Sequence, residues 1–185
     1  MLTDEQIREN KEKIIKYLQS TKRDGIDSLI SFLNDSGYFY LYGSFKHHKY
    51  KGGLAEHSLE VLEYALKNNK NCSKTSIIIC ALMHDLCKVK YEFPEELDTH
   101  GHRTKSVKIL ETFLGFHLTY AEHNAIRFHM GSRSFLRNDD DRRRFKDARK
   151  SPLWELIHVG DCVSAGRYHE SSHDIVRSII RILRK

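Results

Sequence analysis

The stretch ICALMHDLCK, residues 79 to 88, is apolar until it turns abruptly into His84, Asp85 and Lys88. A helix end facing a core has little use for an adjacent imidazole and carboxylate, whereas a metal ion does. Neighbouring helical positions point about 100° apart, so both side chains reach one ion only where other helices pack close. Those helices must then add ligands of their own. His57, in GGLAEHSLEV, stands one turn into an amphipathic helix whose core face is Leu54, Val61, Leu62 and Ala65. Asp161, in LIHVGDCVSA, lies in an otherwise apolar helix, where an unpaired carboxylate is costly to bury. His57, His84, Asp85 and Asp161 would make a nitrogen-and-oxygen set suited to Mn, Fe, Zn, Ni or Co.

Two more histidines sit at comparable positions. His102 opens a helix in GHRTKSVKIL and His129 ends one in AIRFHMG. The two oxygens of Asp85 can bridge two ions, the second taking His102 and His129 and keeping positions open for water and substrate. Each residue alone has a plainer reading. His57 could be an ordinary core or surface histidine, His102 a neighbour of a helix N-cap, and His129 a favourable charge at a helix C-terminus. Asp161 could pair with an arginine. The ordered set H…HD…H…H…D over five expected helices outweighs these readings, because each would have to hold independently.

The elements that must position this set read as helices throughout. Thr3 and Asp4 can cap a helix to about Gln19, with Ile7, Ile14, Ile15 and Leu18 on one face. A short helix over 27–33 stops near Gly37, and a loop dense in aromatic and basic residues follows to Gly53. Helices are expected over 54–66, 75–88, 102–113 and 119–129, the last with Thr119 and Glu122 as a capping box. The segment 131–150 reads as a long charged loop with at most a turn of helix around DDDRRRFKD. Ser151 and Pro152 start a helix to about Ala165, and a final helix spans 172–183. The expected architecture is an all-α, single-domain bundle of seven or eight helices. Its parts are N-terminal helices (1–37), a core carrying the motif residues (38–167) and a C-terminal helix (168–185).

Composition narrows the classes. In a chain of 185 residues, 39% hydrophobic and 30% charged residues fit a folded soluble protein. No stretch approaches the roughly 20 apolar residues that span a bilayer, and the acidic, polar N-terminus is not a signal peptide. A cytoplasmic location without membrane contact is expected. The four cysteines form no C-x-x-C pair and are expected as reduced, mostly buried thiols. The net charge of +6 suits an anionic partner such as a phosphorylated metabolite, a nucleotide or single-stranded nucleic acid.

The runs HHKYKGGLAEHSLEV, ALMHDLCKV, GHRTKSVKIL, AIRFHMG and LIHVGD resemble the HD-domain metal-dependent phosphohydrolases, over roughly residues 39–167. The likeness is strongest to small bacterial or phage HD hydrolases and to the HD module of certain exoribonucleases with a similar HH-x-Y-x-GGL-x-x-H run. The resemblance implies a first metal on His57, His84, Asp85 and Asp161, and a second involving His102 and His129. It gives Lys88, three residues after Asp85, a role at phosphate. His100 could stand in for His102, although the distance of His102 to VKIL fits the family better. His158 reads as support or packing around the ligands, and His47 and His48 as cavity lining or cover for the first helices.

The expected reaction is hydrolysis of a phosphomonoester or phosphodiester, with a nucleotide or short nucleic acid as substrate. Asp85 and Lys88 would be catalytic, and Lys88, Arg103, Lys105, Arg127 and Arg133 would hold phosphate oxygens unless they are ordinary solvated cations. Arg133 and one or more of Arg142 to Arg144 could close over the anion. Two rivals share the pattern: a di-iron oxygenase of the myo-inositol oxygenase type, and a metal-stabilised, non-catalytic nucleotide or nucleic-acid binding protein.

Overall fold

Local signals start the helices of this chain, and burial of one face keeps them. The structure, a computed structural model, describes residues 1–94, 102–131 and 139–166, with His102 and Arg103 described through their backbone alone. In α1 (Asp4–Ser20) the Thr3 hydroxyl accepts from the Gln6 N–H and the Gln6 side chain accepts from the Thr3 N–H, a complete capping box. Ile7, Ile14 and Leu18 form its buried stripe. α2 (Ile26–Asp35) begins after Gly25, whose φ of 80° favours glycine, and buries Leu29, Phe32 and Leu33.

α3 (Gly53–Asn68) and α4 (Lys74–Met83) are the axis of the fold. Seven consecutive residues of α4, Ile77 to Met83, are buried, so the helix is enclosed on all sides rather than amphipathic. Beneath the site the buried Tyr38 hydroxyl links the two helices, with oxygen contacts of 2.8 Å to Ser58 Oγ and 2.9 Å to Leu82 O. α5 (His102–Lys108) widens into a π-type turn over Ile109–Phe113. α6 (Tyr120–Arg127) carries the second capping box, Thr119 with Glu122. α7 (Asp139–Ala148) precedes α8 (Pro152–Ser164), which starts with proline in its first turn. α3 packs against α4 and α8, and α6 closes against α8. Among the described residues there are eight α-helices and no strand, and no helix is long and apolar enough to cross a membrane.

Two expectations need correction. α4 ends at Met83 rather than running to Lys88; a separate short turn spans Leu86–Lys88. The segment 131–150 is not simply a loop, because α7 occupies half of it. Its first turn holds Asp139, Asp140 and Asp141, which suits the helix dipole. Arg142 pairs with Asp139, and Arg143 and Arg144 with Asp140, at helical spacing. Phe145 and Ala148 are buried, and the Phe145 ring meets those of Phe128 and Trp154. The expected helix over 172–183 lies outside the described residues.

The loop between α2 and α3 is folded back on the start of α3. Gly43 N–H donates to His48 O at 2.9 Å, and Ser44 N–H to His47 O at 3.0 Å. His48 adopts a left-handed backbone with φ of 51°. A Cβ on Gly53 would lie 2.2 Å from His48 O, so this close approach requires glycine.

Candidate metal centre

The adjacency of His84 and Asp85 is resolved by breaking the helix between them. His84, the residue that caps the end of α4, keeps helical backbone angles (φ −57°, ψ −37°), while Asp85, at φ −103° and ψ 19°, has left helical geometry. The two side chains therefore converge, with His84 Nε2 3.5 Å from Asp85 Oδ2. Ser106 on α5 repairs the opened backbone. Its Oγ accepts from Cys87 N–H and donates to His84 O, both at 2.9 Å.

Three other helices bring side chains to the same point. His57 on α3 places Nε2 3.2 Å from His84 Nε2 and 3.8 Å from Asp85 Oδ2. Asp161 on α8 places Oδ1 3.3 Å from His57 Nε2. His129, just past α6, has Nε2 3.5 Å from Asp85 Oδ1. Ligand atoms of His57, His84 and Asp161 lie within 4.8 Å of one another, and so do those of His84, Asp85 and His129. The two oxygens of Asp85 thus face different histidines.

None of these five residues is more than 4% exposed. Burying so many ionisable groups is costly unless they are paired or coordinate a cation. Nδ1 of His84 donates to Ala81 O at 2.8 Å, and Nδ1 of His129 donates to Ile126 O at 2.7 Å. A carbonyl only accepts, so in the neutral rings the lone pair is on Nε2 and points into the cluster. Facing imidazole nitrogens at 3.2 Å need a proton or a cation between them. Burial lowers the pKa of His57. Burial also works against charge on His84, but the neighbouring Asp85 outweighs it and the pKa is raised. For Asp161 burial is again overcome, here by its 3.3 Å contact with His57 and by the nearby imidazoles, and its carboxyl stays well below the usual carboxylate range. Between these nitrogens and the carboxylates lies a place that a divalent cation would fit. The donor set of three imidazoles and two carboxylates suits that cation.

Above the cluster opens a cavity of about 510 Å³, with Asp85, Lys88, His129 and Asp161 at its floor and Tyr42 to His47 and Met130 as its wall. Lys88 Nζ is 2.5 Å from Asp85 Oδ2. Tyr42 and Phe45 at the rim are 63% and 79% exposed. His47 lines the cavity, its ring centroid 5.0 Å from that of His57, while His48 Nε2 donates to Glu60 at 3.2 Å. His158 is not in the cluster. It stacks on Trp154 and donates to His129 O at 2.5 Å, supporting the backbone of a ligand. Trp154 Nε1 donates to Phe128 O at 2.8 Å, so one turn of α8 grips two successive carbonyls.

The expected phosphate-binding cations divide. Lys88 lines the cavity. Arg127 does not: its guanidinium pairs with Asp141 and lies over the Phe128 ring, tying α6 to α7. Lys105 Nζ lies 5.0 Å from the Phe93 ring centroid. The side chains of His102 and Arg103, together with His100 and Arg133, lie outside the described residues. Ser106 and Trp154 escaped the reading of the sequence. For Trp154 the visible sign was its spacing from His158, one helical turn.

Residues 54–166 match the family model described as HD domain. No curated protein and no solved structure matches the chain.

Proposed function

The chain belongs to the HD-domain metal-dependent phosphohydrolase superfamily, and from that premise we propose that it hydrolyses a phosphomonoester or phosphodiester of a nucleotide or short nucleic acid. One observation carries the reading: Asp85 stands at the cavity floor with Oδ2 toward His57 and His84 and Oδ1 toward His129. His57, His84, Asp85 and Asp161 would hold one divalent ion. Asp85 and His129, with His102, would hold a second, drawn from Fe, Mn, Zn, Ni or Co. When bound, such ions lower the pKa of a coordinated water and neutralise phosphate charge.

The chain's own residues supply the rest. Lys88 offers an ammonium to a non-bridging phosphate oxygen from its place on Asp85. The exposed rings of Tyr42 and Phe45 on the cavity wall offer faces on which a base stacks. The cavity volume suits a ligand of nucleotide size. Iron-dependent oxygen consumption would reveal the oxygenase alternative instead. The test is a hydrolysis screen of purified protein with added Mn²⁺ or Co²⁺. Its substrates are p-nitrophenyl phosphate, bis-p-nitrophenyl phosphate, a nucleoside 5′-p-nitrophenyl phosphate and short single-stranded RNA. Metal-dependent release from a nucleoside-bearing substrate is expected. No release from any of them, with metal bound, would contradict the reading.

A further inference from the structure

Glu60 follows His57 by three residues on α3, and Ser164 follows Asp161 by three on α8. At that spacing each pair shares one face of its helix. Where α3 and α8 pack together, the two faces meet. His57 Nδ1 lies 2.7 Å from Ser164 Oγ, and Ser164 Oγ lies 2.6 Å from Glu60 Oε2.

We propose that Glu60 and Ser164 are positioning residues that fix the tautomer of His57 and so set the metal affinity of the centre. The direction of each hydrogen bond follows from donor chemistry. An ionised carboxylate only accepts, so the single hydroxyl proton of Ser164 goes to Glu60. Ser164 then presents a lone pair to His57 Nδ1, and the ring nitrogen must donate. With its proton on Nδ1, neutral His57 turns a bare Nε2 toward the cluster.

This arrangement works against the local field. Nε2 of His57 lies 3.3 Å from Asp161 and 3.8 Å from Asp85, and both carboxylates favour a proton on that nitrogen. A proton there would block coordination. The Ser164–Glu60 pair holds it on the far side of the ring. Glu60 is itself anchored by His48 Nε2–H at 3.2 Å, from the left-handed residue that Gly53 leaves room for. One exposed carboxylate therefore joins His48, next in the chain to the cavity-lining His47, to the buried His57. Charged partners behind ligating histidines typically change metal affinity by about 10- to 100-fold.

The inference rests on the metal-centre reading and is tested without any substrate. Mn²⁺ and Zn²⁺ are titrated into metal-free wild type and into Ser164→Ala, Ser164→Thr and Glu60→Ala, with thermal unfolding as a control for folding. Ser164→Ala and Glu60→Ala should weaken the tighter ion by about 10- to 100-fold, while Ser164→Thr, which keeps the hydroxyl, stays within about threefold. ¹⁵N shifts of the His57 ring in metal-free protein should report an Nδ1–H tautomer in wild type and a mixture in Ser164→Ala. Wild-type affinity and an unchanged tautomer in the folded Ser164→Ala and Glu60→Ala variants would overturn the positioning role alone. A wild type that takes up neither ion would overturn the metal reading and this inference with it. Absence of hydrolysis with metal bound would leave both standing and count only against the proposed reaction.

Discussion

Lys88 Nζ rests 2.5 Å from Asp85 Oδ2, the same oxygen that faces His57 and His84. A cation held by these residues would compete with the ammonium for Asp85 and would leave Lys88 freer to face the cavity. Lys88→Met should keep metal uptake at least as tight as wild type and lower kcat/KM for phosphate esters by about 10- to 100-fold, the equivalent of about 1.5–3 kcal/mol for a hydrogen bond to a charged group. Parallel metal titration and kinetics check it; a variant with wild-type kinetics removes Lys88 from the reaction.

The backbone break before Asp85 should depend on Ser106. Ser106→Ala leaves Cys87 N–H and His84 O without their partner in a buried place, a cost of about 1–3 kcal/mol. Thermal unfolding should show that loss, and metal affinity should fall with it because Asp85 is no longer held in place. Unchanged unfolding would mean that the turn closes without the serine.

How much of this was legible in the sequence differs by residue. The clustering of His57, His84, Asp85, His129 and Asp161 was readable because each interrupts an apolar helical face, where such groups are costly. The break after Met83 was not readable. ICALMHDLCK has continuous helical patterning, and the helix stops because Ser106, distant in sequence, satisfies the opened backbone. α7 was obscured by its charge: RNDDDRRRFKDARK reads as solvated loop, yet Phe145 and Ala148 are enough to dock it once Arg127 finds Asp141. That partner also explains why Arg127, expected at phosphate, is engaged elsewhere.

Acid should expose a second buried ion pair, remote from the cluster. Burial works to raise the pKa of Glu122, but hydrogen bonds from Arg23 and from Thr119 N–H outweigh it and hold it below the ordinary value of 4.5. Because the folded pKa lies below the unfolded one, the contribution is fully present above the unfolded value and is lost as pH falls through the folded value. Glu122→Gln should therefore destabilise at neutral pH by about 1.5–3 kcal/mol, the range for hydrogen bonds to charged groups. The gap from wild type should close as pH drops below 4.5. Denaturant unfolding at several pH values decides; a gap independent of pH would argue against an ionised Glu122.

The rim aromatics should act on substrates that carry a base. Phe45→Ala, at a ring that is 79% exposed, should not change the fold. Stacking is worth about 1–3 kcal/mol per base, so KM for a nucleoside 5′-p-nitrophenyl phosphate should rise accordingly while that for bis-p-nitrophenyl phosphate stays level. Equal effects on both esters would show that the ring merely shapes the cavity.

Metal analysis of wild type and Asp85→Ala, each assayed alongside for phosphate-ester hydrolysis, addresses the central claim most directly. Asp85 reaches both histidine groups, so its loss leaves every bound ion short of a ligand. The account predicts about two ions per chain in wild type, and neither metal nor hydrolysis in a folded Asp85→Ala. An Asp85→Ala protein that kept its full metal content would contradict it and place the centre elsewhere.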